Sequence, residues 1–295
     1  MTNNITFSTA WYILSAKFPP TTYQTWITNM ISCVNNYNLV IYTDDAGLRH
    51  LQSFGVKHAD PQSGSERFLD SLSRISSGNP TTNASNYLEN PNIMVKIKKM
   101  EDFYNYRYRD NWINNHTKNI YLNQRTEWKL HMLWAEKVHF VKETMDNKYF
   151  DTEYYGWCDI GYFRDGAIPE FPSARKIEVL NKDKIYYACV NNNDREVHQI
   201  MRNIMQQHNS NGLPSIPIDP NQISVAGGFF VTFKENIDWW KNTFNDKLLL
   251  YFRNQYLVKD DQMIIINCIT ENPSKFQLIK ENSPNNWFLF QRYLC

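Results

Sequence analysis

The sequence has little cysteine and none of the closely spaced cysteine pairs that hold zinc or form redox centres. Its 295 residues include five cysteines, which are scattered along the chain: Cys33, Cys158, Cys189, Cys268 and Cys295. An odd number without CxxC spacing argues against a disulfide framework and predicts reduced thiols. The histidines do not show metal-ligand spacing either.

An excess of charge of one sign is also missing. Lys and Arg together number 31 and Asp and Glu 30, so the formal net charge is +1. Nucleic-acid binding and polybasic membrane anchoring both need a basic excess, so we expect neither. The N-terminal MTNNITFSTAWYIL lacks a basic region, and its apolar run is too short to cross a bilayer. We therefore expect a cytoplasmic protein with no integral membrane segment.

Strands and helices alternate at the start of the chain. Residues 4–14 predict a buried strand, PPTTYQTWITNMISCV a helix, NLVIYT a second strand and AGLRHLQSFG a short helix. This order is typical of a wound α/β layer with a mostly parallel sheet, where ligands bind beyond the carboxyl ends of the strands. We expect a single domain over residues 1–295, with an irregular Ser- and Asn-rich insertion at about 57–91.

The rest of the chain continues the alternation. Strands are predicted for NIMVKIKK, YYGWC, IYYACV and ISVAGGFFVTF, the last broken by Gly227 and Gly228. Helices are predicted for the Tyr-rich EDFYNYRYRDNWINN, QRTEWKLHMLWAEKVHFVKETMDN, DREVHQIMRNIMQQH, ENIDWWKNTFNDKLLLYFRNQY and KDDQMIIINCI. An aromatic content of 15% suits a packed core and also platforms for sugar or base rings.

One carboxylate stands out in the stretch YYGWCDIGYFRDG. Asp159 directly follows an apolar, aromatic strand, and an ionised carboxylate taken out of water costs several kcal/mol unless it is compensated. A bound cation or ligand is one candidate. A purely structural carboxylate, hydrogen-bonded to backbone or to Arg164, is the alternative.

Three segments together resemble a known family. WCDIGYFR at 157–164, WAEKVHFV at 134–141 and VIYTDD at 40–45 look like the HtrL/YibB family, which belongs with the GT-A glycosyltransferases. The order of motifs also resembles glycogenin-like galactosyltransferases: a strand ending in DxD, a glycine-bearing strand, then an acidic residue and Gln opening a helix. The resemblance implies a GT-A-like fold and transfer of a sugar from a nucleotide donor.

The resemblance assigns the reacting part of the site. Asp159 would hold a divalent cation, Mn²⁺ or Mg²⁺, that helps the diphosphate of the donor to leave. Asp261 and Gln262 would face the reacting carbon, with Asp260 as a second choice. The family pattern is broken at Gly161, where a second metal-binding Asp is usual. Asp260 and Asp261 could instead be simple N-terminal helix charges.

A nucleotide site is predicted where the wound sheet opens. We expect the donor to be bordered by Thr9, Ala10, Thr43, Asp44, Asp45, Lys137, Trp157, Gly227 and Gly228. Each has a simpler alternative: Asp44 and Asp45 suit a turn, and Lys137 a solvated helix face. The two glycines could form a β-bulge.

The function predicted on this basis is a glycosyltransferase that moves a sugar from a nucleotide-sugar donor, a UDP-sugar, to a hydroxyl acceptor. The expected partners are that donor and an acceptor on a glycan, lipid or protein. A non-catalytic nucleotide- or carbohydrate-binding module with the same fold is the alternative, because Gly161 weakens the metal site. A metal-dependent nuclease or phosphatase comes third, and the near-neutral charge argues against a nuclease.

Overall fold

The computed structural model describes residues 3–53, 90–206, 208–283 and 285–295. Seven strands form one sheet in the order β3-β2-β1-β4-β6-β5-β7. They are β1 Ile5–Trp11, β2 Asn38–Thr43, β3 Ile93–Ile97, β4 Tyr154–Cys158, β5 Ile185–Ala188, β6 Phe229–Phe233 and β7 Phe276–Ile279. Neighbouring strands run parallel except where β6 pairs with β4 and β5. The predicted α/β class, with a mostly parallel Rossmann-like sheet, is confirmed.

Helices cover both faces of this sheet. They are α1 Pro20–Ser32, α2 Asp45–Ser53, α3 Arg109–Lys118, α4 Trp128–Asp146, α5 Ala174–Glu178, α6 Asp194–Gln206, α7 Ile237–Arg253, α8 Asp261–Glu271 and α9 Phe290–Tyr293. On one face α1, α2, α5 and α9 contribute to a single apolar cluster, and on the other face α3, α4, α6, α7 and α8 contribute to a second. The sheet is therefore buried on both sides, as a mostly parallel sheet requires.

Strand β1 shows how the two faces are divided. Phe7 and Trp11 belong to the cluster with α1, whereas Ala10 and the following Tyr12 belong to the cluster with α4. Ser8 also points towards α4, since its hydroxyl lies 2.7 Å from the hydroxyl of Thr144. Successive side chains alternate between the faces because the side-chain period of a strand is two.

Two of the predicted elements differ in the structure. The Tyr-rich stretch is not one helix: 3₁₀ turns at Met100–Asp102 and Tyr104–Tyr108 precede α3, because Phe103 between them is extended. The strand containing the glycine pair begins only at Phe229, so Gly227 and Gly228 precede the strand rather than interrupt it. The short strand β7 was not predicted from the sequence.

Some predictions fall partly outside the described residues. Of the insertion predicted at about 57–91, only Asn90 and Pro91 belong to the described residues. The single domain over residues 1–295 stays a prediction. Each of the five cysteines is a free thiol, and only Cys295 is exposed. Within the part of the chain that the structure describes, none of the helices has the length and apolar content needed to span a membrane.

Candidate functional site

A cavity of about 470 Å³ opens where the sequence predicted a site. Residues that directly follow β1 and β4, among them Tyr12 and Asp159, line one side of it. The pair Gly227 and Gly228, at the start of β6, and Asp261, at the start of α8, line another. The cavity therefore lies at the carboxyl edge of the central parallel strands, where ligands bind in wound α/β sheets.

Asp159 is held in place by its own strand and by β6. Its backbone N–H donates to the Gly228 carbonyl at 2.8 Å, which continues the antiparallel ladder between β4 and β6. Its Oδ1 accepts a hydrogen bond from the Trp157 indole at 2.6 Å. The side chain is 43% exposed, so its other oxygen is available to the cavity. Arg164, the structural partner considered from the sequence, donates instead to the Gly161 carbonyl.

Asp261 is the most buried carboxylate of the cavity, with 6% of its side chain exposed. It occupies the first position of α8, and its carboxylate packs against the backbone of Gly227. A Cβ at Gly227 would lie 2.7 Å from Asp261 Oδ2 and 2.8 Å from Oδ1. The glycine is therefore needed for this close approach, which is a different reason from the β-bulge considered as the alternative.

Lys137 contacts both carboxylates. Its Nζ lies 3.1 Å from Asp159 Oδ1 and 3.0 Å from Asp261 Oδ2, and it donates to the Gly227 carbonyl at 2.8 Å. Only 8% of the side chain is exposed, so the solvated helix face considered from the sequence is wrong. Burial lowers the pKa of Lys137, but Asp159 and Asp261 outweigh it and the net shift is upward. The lysine is therefore a fixed buried cation.

The carboxylates at the start of α8 hold protons more tightly than exposed acids do. Burial raises the pKa of Asp261 to about 6, although Lys137 lowers it, and neighbouring Asp260 raises it further. Burial also raises the pKa of Asp260, against the lowering effect of Lys259, whose Nζ lies 3.6 Å away. Both acids thus change charge nearer to neutral pH than usual, which is typical of functional sites.

The donor set does not fit a divalent cation held by two protein ligands. Among the described residues, no group of three or more His, Cys, Asp or Glu side chains is placed to hold a metal ion. Oδ1 of Asp159 and Oδ2 of Asp261 both contact the Lys137 ammonium. At Gly161 a Cβ would lie 2.8 Å from Trp26 Cε3, so this position lacks room for a second carboxylate. The divalent cation stays a prediction.

Aromatic rings and two further cations form the outer wall. The rings come from Trp11, Tyr12, Phe18, Tyr23, Trp134, Trp157, Tyr162, Trp287 and Phe288. Arg164 lies among three rings, with its Cζ 4.3 Å from the centroid of Trp26 and 4.9 Å from that of Phe288. Lys17 Nζ lies 5.5 Å from the centroid of Trp134. Flat apolar surfaces beside fixed positive charges suit ligands that carry both rings and phosphates.

The predicted nucleotide residues separate into two groups. Ala10, Lys137, Trp157, Gly227 and Gly228 line the cavity, as do Asp159 and the three residues Asp260, Asp261 and Gln262. The cavity wall does not include Thr9, Thr43, Asp44 or Asp45. Asp44 Oδ1 accepts the Gly47 N–H at 2.7 Å at the start of α2, which is the turn role considered as its alternative. Thr9 is fully buried in β1.

The central position of Lys137 had a signal in the sequence. The residues three and four positions away on α4, Leu133, Trp134, Phe140 and Val141, are all apolar. A lysine flanked in this way lies on a buried face of a helix, where it needs carboxylate partners. The roles of Lys17 and Arg164 have no comparable signal, because their place at the cavity depends on loops after β1 and β4.

A scan against protein-family models and a search of curated proteins find no match to this chain. Its function has to be inferred from the residues around the cavity.

Proposed function

We propose that the protein is a glycosyltransferase with a GT-A-like fold, which transfers a sugar from a nucleotide donor to a hydroxyl acceptor. One observation carries the proposal. Asp159 and Asp261, far apart in the sequence, meet at one buried lysine in an aromatic-walled cavity at the carboxyl edge of the sheet. The donor in this proposal is a UDP-sugar, and the acceptor is a hydroxyl group on a glycan, lipid or protein.

The resemblance to the HtrL/YibB family supports this function. It assigns Asp159, the glycine pair, and Asp261 with Gln262 to one reaction site, and these residues do line a single cavity. The volume of about 470 Å³ is within the usual range for small-molecule sites, roughly 300–1,000 Å³. The aromatic wall offers stacking surfaces for a base and for sugar rings.

Transfer of a sugar requires charged groups near the reacting atoms, and the cavity wall contains carboxylates and cations. The bond between the anomeric carbon and the diphosphate breaks, and the diphosphate leaves with the electron pair. The acceptor oxygen bonds to that carbon and gives up its proton. Positive charge that develops on the sugar is stabilised by nearby carboxylates, and Asp261 and Asp260 are the candidates at the buried end. Either one could accept the proton of the acceptor hydroxyl.

A non-catalytic nucleotide- or carbohydrate-binding module is the second candidate. It is favoured by the ion pairs of Lys137, which occupy oxygens of both Asp159 and Asp261, and by the lack of space at Gly161. Such a module would bind the nucleotide or the sugar with the same cavity. It would not release sugar from any donor, and this difference separates the two candidates.

Thermal unfolding in the presence of nucleotides tests the binding site. UDP should raise the melting temperature more than inorganic pyrophosphate at equal concentration, because the rings as well as the phosphates are bound. Equal shifts for UDP and pyrophosphate would contradict a base-binding cavity. The absence of any shift with nucleotides or nucleotide sugars would contradict the proposed function.

Turnover of the donor tests catalysis. Asp261→Ala should lower sugar release by orders of magnitude and change UDP affinity only modestly, because Asp261 acts on the transition state. Asp194→Ala is the matched control, since Asp194 also begins a helix but lies outside the cavity. Full activity in Asp261→Ala would remove this residue from the mechanism, and a parent protein without turnover on any donor would favour the binding module.

A further inference from the structure

The cation that joins the two central carboxylates belongs to the protein. Lys137 Nζ has three acceptors within hydrogen-bond distance: Asp159 Oδ1, Asp261 Oδ2 and the Gly227 carbonyl. The ammonium donates a hydrogen bond to the Gly227 carbonyl and forms ion pairs with both carboxylates. Lys137 therefore fixes the carboxylates relative to each other, which is a task that a divalent cation performs in many diphosphate sites.

Space and ligands around the carboxylates agree with this arrangement. The oxygens that contact Lys137 each lie about 3 Å from the same nitrogen, so they are no more than roughly 6 Å apart. A divalent cation that bound both oxygens at its usual bond length of about 2.0–2.6 Å would lie within about 6 Å of the Lys137 ammonium, which would repel it. No third side-chain ligand is placed there among the residues that the structure describes.

The cavity wall contains two cations besides Lys137, namely Lys17 and Arg164. The three carboxylates of the cavity have two lysines at ion-pair distance, Lys137 and Lys259, so one negative charge is uncompensated. Lys17 and Arg164 both line the cavity, and neither forms an ion pair with any carboxylate of the described residues. With Lys259, which pairs with Asp260 but does not itself line the cavity, four cations face three carboxylates, a positive balance of one.

Arg164 is placed to bind an anion. Its guanidinium lies between Trp26, Phe288 and Phe18, with 5.3 Å from Cζ to the Phe18 centroid. Among the described residues its only hydrogen bond runs from Nε to the Gly161 carbonyl, at a long 3.3 Å. A planar guanidinium held by rings keeps its outer N–H groups in a fixed fork, which matches two phosphate oxygens.

We propose that this site works without a divalent cation: Lys137 positions Asp159 and Asp261, and Lys17 with Arg164 bind the diphosphate of the donor. The proposal rests on the proposed function for the nature of its ligand. It departs from the metal-dependent site that the family resemblance implies. Lys137 acts through the two carboxylates and is a positioning residue, whereas Lys17 and Arg164 would touch the substrate.

The first experiment uses manganese alone and needs no donor. The melting temperature of the parent should not change with MnCl₂, because the Lys137 ammonium already compensates both carboxylates and repels a second cation. Lys137→Met, which keeps the length and removes the charge, should gain stabilisation by MnCl₂ at the vacated position. Lys142→Met is the matched control on the same helix, since Lys142 pairs with Asp146 and Asp238 outside the cavity. Stabilisation of the parent, or a folded Lys137→Met that does not respond, would overturn the role given to Lys137.

The second experiment measures UDP binding by calorimetry and does not require Lys137→Met to fold. The parent should bind UDP equally well with EDTA and with MnCl₂, and a requirement for manganese would overturn the proposal. Arg164→Met and Lys17→Met should each weaken UDP binding roughly ten- to hundred-fold, the size of a charge-assisted hydrogen bond, and leave uridine binding unchanged. Arg107→Met is the control, because Arg107 also stacks on a ring, Tyr104, but lies outside the cavity.

The two experiments separate this inference from the function on which it rests. If UDP does not bind under any condition, the proposed function fails and so does the diphosphate role of Lys17 and Arg164. The manganese response of Lys137→Met would still decide whether the lysine occupies a cation position. If UDP binds only in the presence of MnCl₂, the proposed function stands and the proposal of a cation-free site is wrong.

Discussion

Replacement of Lys137 by Met should destabilise the protein in a way that depends strongly on pH. The substitution removes the ammonium that lies 3.0 Å from Asp261 Oδ2 and 3.1 Å from Asp159 Oδ1. Asp261 then keeps a buried negative charge without its partner. Breaking a buried ion pair by removing one partner typically costs about 3–5 kcal/mol, and this is the expected loss in the free energy of unfolding at about pH 8.

The dependence on pH follows from the proton affinity of Asp261. Its pKa in the folded parent, about 6, lies above the ordinary value of 3.8, so the folded state binds more protons between these values. Stability therefore falls as the pH rises through this window. Without Lys137, which lowers this pKa, the window extends to higher pH. Each additional pH unit costs the variant about 1.4 kcal/mol relative to the parent.

Urea unfolding of parent and variant at about pH 5 and about pH 8 measures this effect. The loss caused by Lys137→Met should be smaller at the lower pH by about 1.4–3 kcal/mol, because Asp261 can take up a proton there. Lys142→Met should cost about 1 kcal/mol or less, since Asp146 and Asp238 are more than half exposed. An equal loss for Lys137→Met at both pH values would refute the coupling between Lys137 and Asp261.

Three further predictions concern single residues. Gly161→Asp should lower stability by about 1–3 kcal/mol, because its Cβ would lie 2.8 Å from Trp26, and thermal unfolding should show no gain with MnCl₂. Glu136→Ala should lower the free energy of urea unfolding by about 3 kcal/mol, since the buried carboxylate accepts the backbone N–H groups of Tyr104 and Asn105. Donor hydrolysis by the parent should rise with pH around a midpoint of about 6 as Asp261 ionises, and Asp261→Asn should lose this dependence.

The layered architecture could be predicted because the sequence pattern and the packing agree. The first strand and the helix after it were found from β-branched residues, prolines and apolar spacing, and they form β1 and α1. The Tyr-rich stretch was predicted as one helix, whereas in the structure Glu136 of α4 accepts the N–H groups of Tyr104 and Asn105 in a 3₁₀ turn. That interaction cannot be seen in a local window.

The site could be predicted only as far as chain position determines it. Asp159 follows a strand and Asp261 begins a helix that the pattern identified, and both line the cavity. Their connection through Lys137 depends on how α4 crosses the sheet, and this requires the fold. The close approach of Gly227 to Asp261 depends likewise on the packing of α8 against the start of β6. A glycine in the sequence indicates a close contact at its position but does not identify the contacting group.

The reversed direction of β6 sets the spacing of the site. Because β6 runs antiparallel to β4, Cys158 pairs with Phe229, and the residue after one strand faces the residue before the other. Asp159 is thereby fixed beside Gly228, one residue from the glycine that packs on Asp261. A slip of one residue in this pairing would turn the side chains of a strand to the opposite face. Insertions or deletions within these two short strands should therefore abolish the site.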